Sequence, residues 1–190
     1  MALQPITIAM KLITGNIFLI TLILIISHQL SMVNCCYAQQ KKLNQKVYDE
    51  QSKSEIMIGY CTLDGISDTA FITDYIKGYD EFQPQKKLVN QMYSLLDSIT
   101  VTIVMGTWCS DSKEQVPRFM RLFDELEHSF ATPTFICVDR NKKAGDVSMA
   151  GMNILNIPTF IVYYKGRELG RIVEAPKTTI DQDFLEILKK

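Results

Sequence analysis

Apolar residues recur along this chain with three different spacings, and each spacing predicts a different kind of element. From Leu12 to Ile26 they are nearly continuous, with Lys11 just before them and no carboxylate until Asp49. Gln39 to Ser54 is polar and aperiodic, dominated by Gln, Lys and Ser, and reads as a flexible linker. From Glu55 the pattern becomes that of a folded chain. Ile56, Ile58 and Tyr60 alternate as in a half-buried strand, and Ser67 is placed to cap a short helix carrying Ala70, Phe71, Tyr75 and Ile76. Residues 55–84 are expected to form an N-terminal extension packed on the main domain. Tyr79, Phe82 and Pro84 make an aromatic connection into it.

The main domain is expected over 85–190. Leu88, Val89, Met92, Leu95 and Leu96 fall on one helical face, predicting a helix from Gln85 to Ser98. Ile99 to Met105 is a β-branched run of the kind that forms a buried strand. After it, Phe119, Leu122, Phe123 and Leu126 mark a long helix that must accommodate Pro117, whose missing N–H removes one helical hydrogen bond. Thr134 to Val138 reads as a parallel strand reached by a crossover, and Asp139 to Lys143 as a solvated turn after it. A short helix around Val147 to Leu155 fits the next stretch. Strands at Thr159 to Tyr164 and Arg171 to Glu174, joined around Lys165-Gly166, and a helix from Thr179 to Lys189 complete an α/β fold.

The N-terminal run changes the compartment. At about 15 residues it is short of the roughly 20 that span a bilayer, and with Lys11 ahead of it and Cys36-Tyr37-Ala38 behind it the pattern is that of a signal peptide over 1–38. A lipidated Cys35 or Cys36, or an uncleaved membrane anchor reaching Val33, are the other readings. All three place the folded part outside the cytoplasm, periplasmic or extracellular. Loss of 1–38 removes Lys11 and no acid, so 20 − 1 = 19 basic residues face 21 acidic ones. Near-neutral charge excludes a basic nucleic-acid footprint, and a monomer without membrane contact beyond its N-terminus is expected.

The same cut leaves Cys61, Cys109 and Cys137. Three cysteines cannot all pair within one chain, so an oxidising compartment implies a free thiol. Cys109 is the candidate, because it sits between the predicted strand and helix, where unpaired N–H groups and the helix dipole favour thiolate over thiol. Asp111 opposes that effect, and no Lys, Arg or His lies between Met105 and Ser112 to offset it. Cys137, inside an apolar strand, reads as core. Cys61 is kept as a candidate resolving thiol. The two histidines, His28 and His128, give no metal signature, and nothing points to a nucleotide or flavin cofactor.

Gly106-Thr107-Trp108-Cys109-Ser110-Asp111-Ser112, with Pro117 eight residues after the cysteine and Asn156-Ile157-Pro158-Thr159 later, resembles the thioredoxin superfamily. The likeness is nearest to secreted bacterial thioredoxin-like proteins that carry Gly-Thr-Trp-Cys-x-Asp-Ser and Val-Pro-Arg-Phe, here Val116 to Phe119. It implies a thioredoxin-like three-layer sandwich around a central mixed sheet, with an N-terminal extension and a cis bond before Pro158. Trp108, Ile157 and Pro158 would then hold substrate. The second cysteine of dithiol relatives is Ser112 here, and the buried carboxylate six residues before the nucleophile is Ile103. An alcohol cannot form a disulfide, so a two-cysteine cycle between 109 and 112 is excluded. Ser112, one turn on, would instead donate to the Cys109 sulfur. The expected activity is monothiol exchange with protein disulfides, oxidised thiols or small thiols. The alternative is a non-catalytic module that binds extended polypeptide over Trp108 and Pro158.

Overall fold

The computed structural model describes residues 42–127 and 129–190. The expectations on 1–38, on Cys35 and Cys36, and on His128 lie outside the described residues. Strand β1 (Gln45–Asp49) pairs antiparallel with β2 (Ser54–Cys61), Gln45 opposite Ile58 and Asp49 opposite Ser54. The expected flexible linker thus contains an edge strand. Its polar residues fit there because an edge strand leaves one side to solvent, and Val47 and Tyr48 are exposed. β2 in turn lies within the sheet rather than packed upon it, antiparallel to the strand that follows the central helix.

Two helices follow. α1 (Leu63–Ser67) is capped by Thr62, whose hydroxyl accepts the Gly65 N–H. Ser67, predicted as the cap of the next helix, closes α1 instead by donating its hydroxyl to Leu63 O, and α2 (Phe71–Glu81) begins after Ala70 with no side-chain cap. The predicted helix over 85–98 is shorter: α3 (Lys86–Met92) tightens into a 3₁₀ turn at Tyr93–Leu95, and Ser98 at φ 59° turns the chain into the sheet.

The centre of the sheet is β3 (Ile99–Met105), joined through α4 (Ser110–Glu125) to β4 (Thr134–Cys137). β3 and β4 are parallel, with Thr102 opposite Thr134 and Met105 opposite Cys137. β5 (Thr159–Tyr164) runs antiparallel to β3, and β6 (Arg167–Val173) antiparallel to β5, before α5 (Ile180–Leu188) ends the fold. The resulting α/β architecture is a mixed six-stranded sheet in the order β1-β2-β4-β3-β5-β6. α4 runs unbroken through Pro117. Gly78 on α2 makes room for that ring, since a Cβ there would stand 2.8 Å from Pro117 Cγ.

The two faces of the sheet are covered differently. Met57, Cys61, Val101, Ile103, Met105, Phe135, Cys137, Phe160 and Val162 share one core cluster with the inner faces of all five described helices. Phe119 is its hub, with ring centroids 5.1 Å from Phe160 and 5.3 Å from Phe184. On the other face Val104, Ile136 and Val138 meet Ala144, Ile157 and the partly buried Val147, Met149, Met152 and Ile154. The described segment 138–158 contains no helix, so the short helix expected around Val147 to Leu155 is absent there. Gly145, Gly151 and Asn153 adopt positive φ and break any helical run. Arg171 holds the segment down by donating from Nη1 to Met152 O at 2.9 Å.

Candidate thiol site

β3 ends and α4 begins around a tight junction, Gly106 to Cys109. The Cys109 N–H donates to Gly106 O, and Thr107 accepts the Met57 N–H from β2 at 3.2 Å, so both the loop and its neighbour strand are pinned. Cys109 is the N-cap of α4. Its backbone is extended, its carbonyl accepts the Lys113 N–H, and its side chain makes no capping bond. The sulfur turns the other way and donates to Ile157 O at 3.5 Å. Ile157 precedes Pro158 through a cis peptide bond, and both residues are buried. The structure therefore brings together Cys109, Ile157 and Pro158, residues about fifty positions apart, at one point with Trp108 beside them.

Ser112 plays a different part from the one expected. It is fully buried, and its Oγ accepts the Gly106 N–H at 3.3 Å, so it fastens the junction. No hydrogen bond joins it to the Cys109 sulfur, because the cap rotates that sulfur toward Ile157.

Cys61 is not positioned to resolve Cys109. It lies in the helix-covered cluster with Cys137, while Cys109 belongs to the cluster on the opposite face. The parity of β2 decides this, since Met57 and Cys61 point one way and Tyr60 the other. All three described cysteines are free thiols. The neighbouring Cys61 thiol and burial push the Cys137 thiol well above its ordinary range, and the Cys61 thiol itself donates to Gly59 O at 3.3 Å.

Sequence reasoning missed the charged partner of the site. Arg140, expected in a solvated turn, lays its guanidinium over the Trp108 ring at 4.6 Å. Its Nε donates to both oxygens of Asp49 at 2.9 and 3.0 Å, and its Nη2 donates at 2.7 Å. Asp49 is 9% exposed, and the Arg140 hydrogen bonds hold its carboxyl well below the usual carboxylate range, with Ser52 adding to the effect. The indole N–H of Trp108 donates to Val138 O at 2.9 Å. The available signal was only that Arg140 lies in the turn three residues past the end of the strand paired with β3.

A groove of about 380 Å³ opens beside Ser110, between α2 and α4, lined among others by Asp74, Lys77, Lys113 and Arg118. Its charges are largely paired, Lys113 to Asp74 and Arg118 to Glu114, both at 2.8 Å. Among the described residues no cluster of His, Cys, Asp and Glu could hold a metal ion, and no helix is long and apolar enough to cross a membrane.

No protein-family model matches this sequence, and no curated protein matches it. Nine solved chains match it in structure, among them the following three. A protein of unknown function from Pseudomonas aeruginosa aligns at 12% identity and TM-score 0.47, over 65% of this chain and 86% of its own. An HIV epitope scaffold aligns at 14% identity and TM-score 0.45, over 64% and 76%. A mutant thioredoxin from Halobacterium salinarum aligns at 10% identity and TM-score 0.31, over 57% and 85%.

Proposed function

We propose that this is an exported thioredoxin-like protein that performs thiol-disulfide exchange through Cys109 alone. The observation that carries the reading is the meeting of the Cys109 sulfur with Ile157 O, 3.5 Å apart, at the start of a long helix. An extended polypeptide seated against the Ile157-Pro158 backbone would bring its own sulfur to the same point.

The chemistry balances without a cofactor. The Cys109 thiolate attacks one sulfur of a disulfide, forming a mixed disulfide while the other sulfur leaves as a thiolate and takes up a proton. An external thiol, deprotonated in turn, then attacks the mixed disulfide and frees Cys109. Net oxidation state is conserved over the cycle, which favours isomerisation or removal of small-thiol adducts over net reduction. Ser112 supports the junction that presents the sulfur.

The test is mass spectrometry of the purified protein after mild oxidation with excess glutathione, with Cys109→Ala and Cys61→Ala as controls. The expected result is one glutathione adduct, confined to Cys109 and lost in Cys109→Ala. An internal Cys61 to Cys109 disulfide, or a Cys109 that stays unmodified while other thiols react, overturns the monothiol reading. The second of these leaves a polypeptide-binding module in its place.

A further inference from the structure

Trp108 is held from three sides. Gly106 lies against its edge, where a Cβ would come within 2.7 Å of Nε1. Val138 O takes its N–H at 2.9 Å, and the guanidinium of Arg140 lies over its ring at 4.6 Å. Gly106 and Val138 belong to the β3 and β4 ends, and Arg140, in the turn after β4, is itself fixed by Asp49, 91 residues away at the end of β1. The Asp49 carboxylate is fully engaged, since Ser52 N–H also donates to it at 2.9 Å. A guanidinium gripped along one edge in this way has a single orientation, and that orientation sets its carbon 4.6 Å from the indole centroid.

We propose that the Asp49–Arg140 pair is the positioning device of the thiol site, locking Trp108 beside Cys109 and thereby setting how fast Cys109 meets a disulfide. The inference rests on the exchange reading above. The pair lies at the rim, with Arg140 about three-tenths exposed. Arg140 is held firmly protonated, first by its hydrogen bonds to Asp49. Lysine cannot replace arginine here. It carries the charge but has neither the fork that Asp49 grips nor the plane that covers the ring.

Because the chain has a single tryptophan, its fluorescence reports this site alone. The experiment compares wild type, Arg140→Lys, Asp49→Asn and, as a surface control, Lys53→Gln, by acrylamide quenching of Trp108 and by the rate of exchange with glutathione disulfide, all well below the unfolding midpoint. Arg140→Lys and Asp49→Asn are expected to raise quenching and slow exchange about tenfold, with the double variant no worse than either alone, while Lys53→Gln matches wild type. Unchanged quenching in both site variants overturns the clamp. Raised quenching with an unchanged exchange rate overturns its role in the reaction. If wild type itself fails to exchange, the function reading falls by that result, and quenching alone decides whether the pair positions Trp108.

Discussion

A Cβ added to Gly106 would stand 2.7 Å from Trp108 Nε1 and 3.0 Å from Ile157 Cδ1, so the glycine is the floor on which both the indole and the loop before Pro158 rest. Gly106→Ala is expected to push the indole off Val138 O and destabilise the fold by about 1–3 kcal/mol, the range for overpacking a tight site. Urea unfolding measures the loss. The emission of Trp108 should also shift to the red as the ring moves toward water.

Phe119 joins α4 to both β5 and α5 through its contacts with Phe160 and Phe184. Phe119→Ala removes a fully buried ring where three elements meet and should cost about 3–5 kcal/mol. Phe119→Leu, which keeps most of the volume, should cost distinctly less in the same unfolding measurement.

The carboxyl of Asp49 is depressed in the folded state by its hydrogen bonds to Arg140 and Ser52. A depressed carboxyl contributes stability above its unfolded value, near pH 4, and that contribution is lost as pH falls toward the folded value. Wild type should therefore exceed Asp49→Asn in stability at pH 7, and the gap should close progressively below about pH 4. A gap that stays constant down to pH 2 contradicts the pairing.

Cys137 is fully buried and its thiol is pushed up by the neighbouring Cys61 and by burial. It should stay unlabelled by iodoacetamide at pH 8 in the native protein and react only when urea unfolds the chain. Peptide mapping of the labelled protein checks this directly.

The elements that the sequence made legible are those whose physics is local. Ile99 to Met105 and Thr134 to Cys137 are strands because β-branched and aromatic residues crowd into short runs, and α4 is a helix because Phe119, Leu122 and Phe123 repeat at its period. Cys109 was readable as a thiol at the strand-to-helix junction from its place between those two patterns. What was not readable depended on distance or on backbone sign. Gln45 to Asp49 has no apolar alternation, and it becomes a strand only because β2 offers an edge. Arg140 looked like one more charge in a polar turn, and its bond to Asp49 exists only after the sheet has assembled. The stretch around Val147 to Leu155 has enough apolar residues for a helix, but glycines and an asparagine at positive φ lay it flat across the sheet. Ser112 was expected to donate to the Cys109 sulfur, but its partner is the Gly106 amide because the N-cap geometry of Cys109 aims the sulfur elsewhere.

That flat cover gives the molecule two walls of unequal strength. One wall is a layer of helices, each closed by its own ladder of hydrogen bonds. The other is a single strap, pinned by Arg171 and by the short turn bonds within it, and it shares its apolar cluster with Cys109. Opening such a strap breaks few bonds and leaves the helical wall intact. Access to the sulfur is thus separable from unfolding: the protein can loosen around its thiol while the sheet that carries it stays whole.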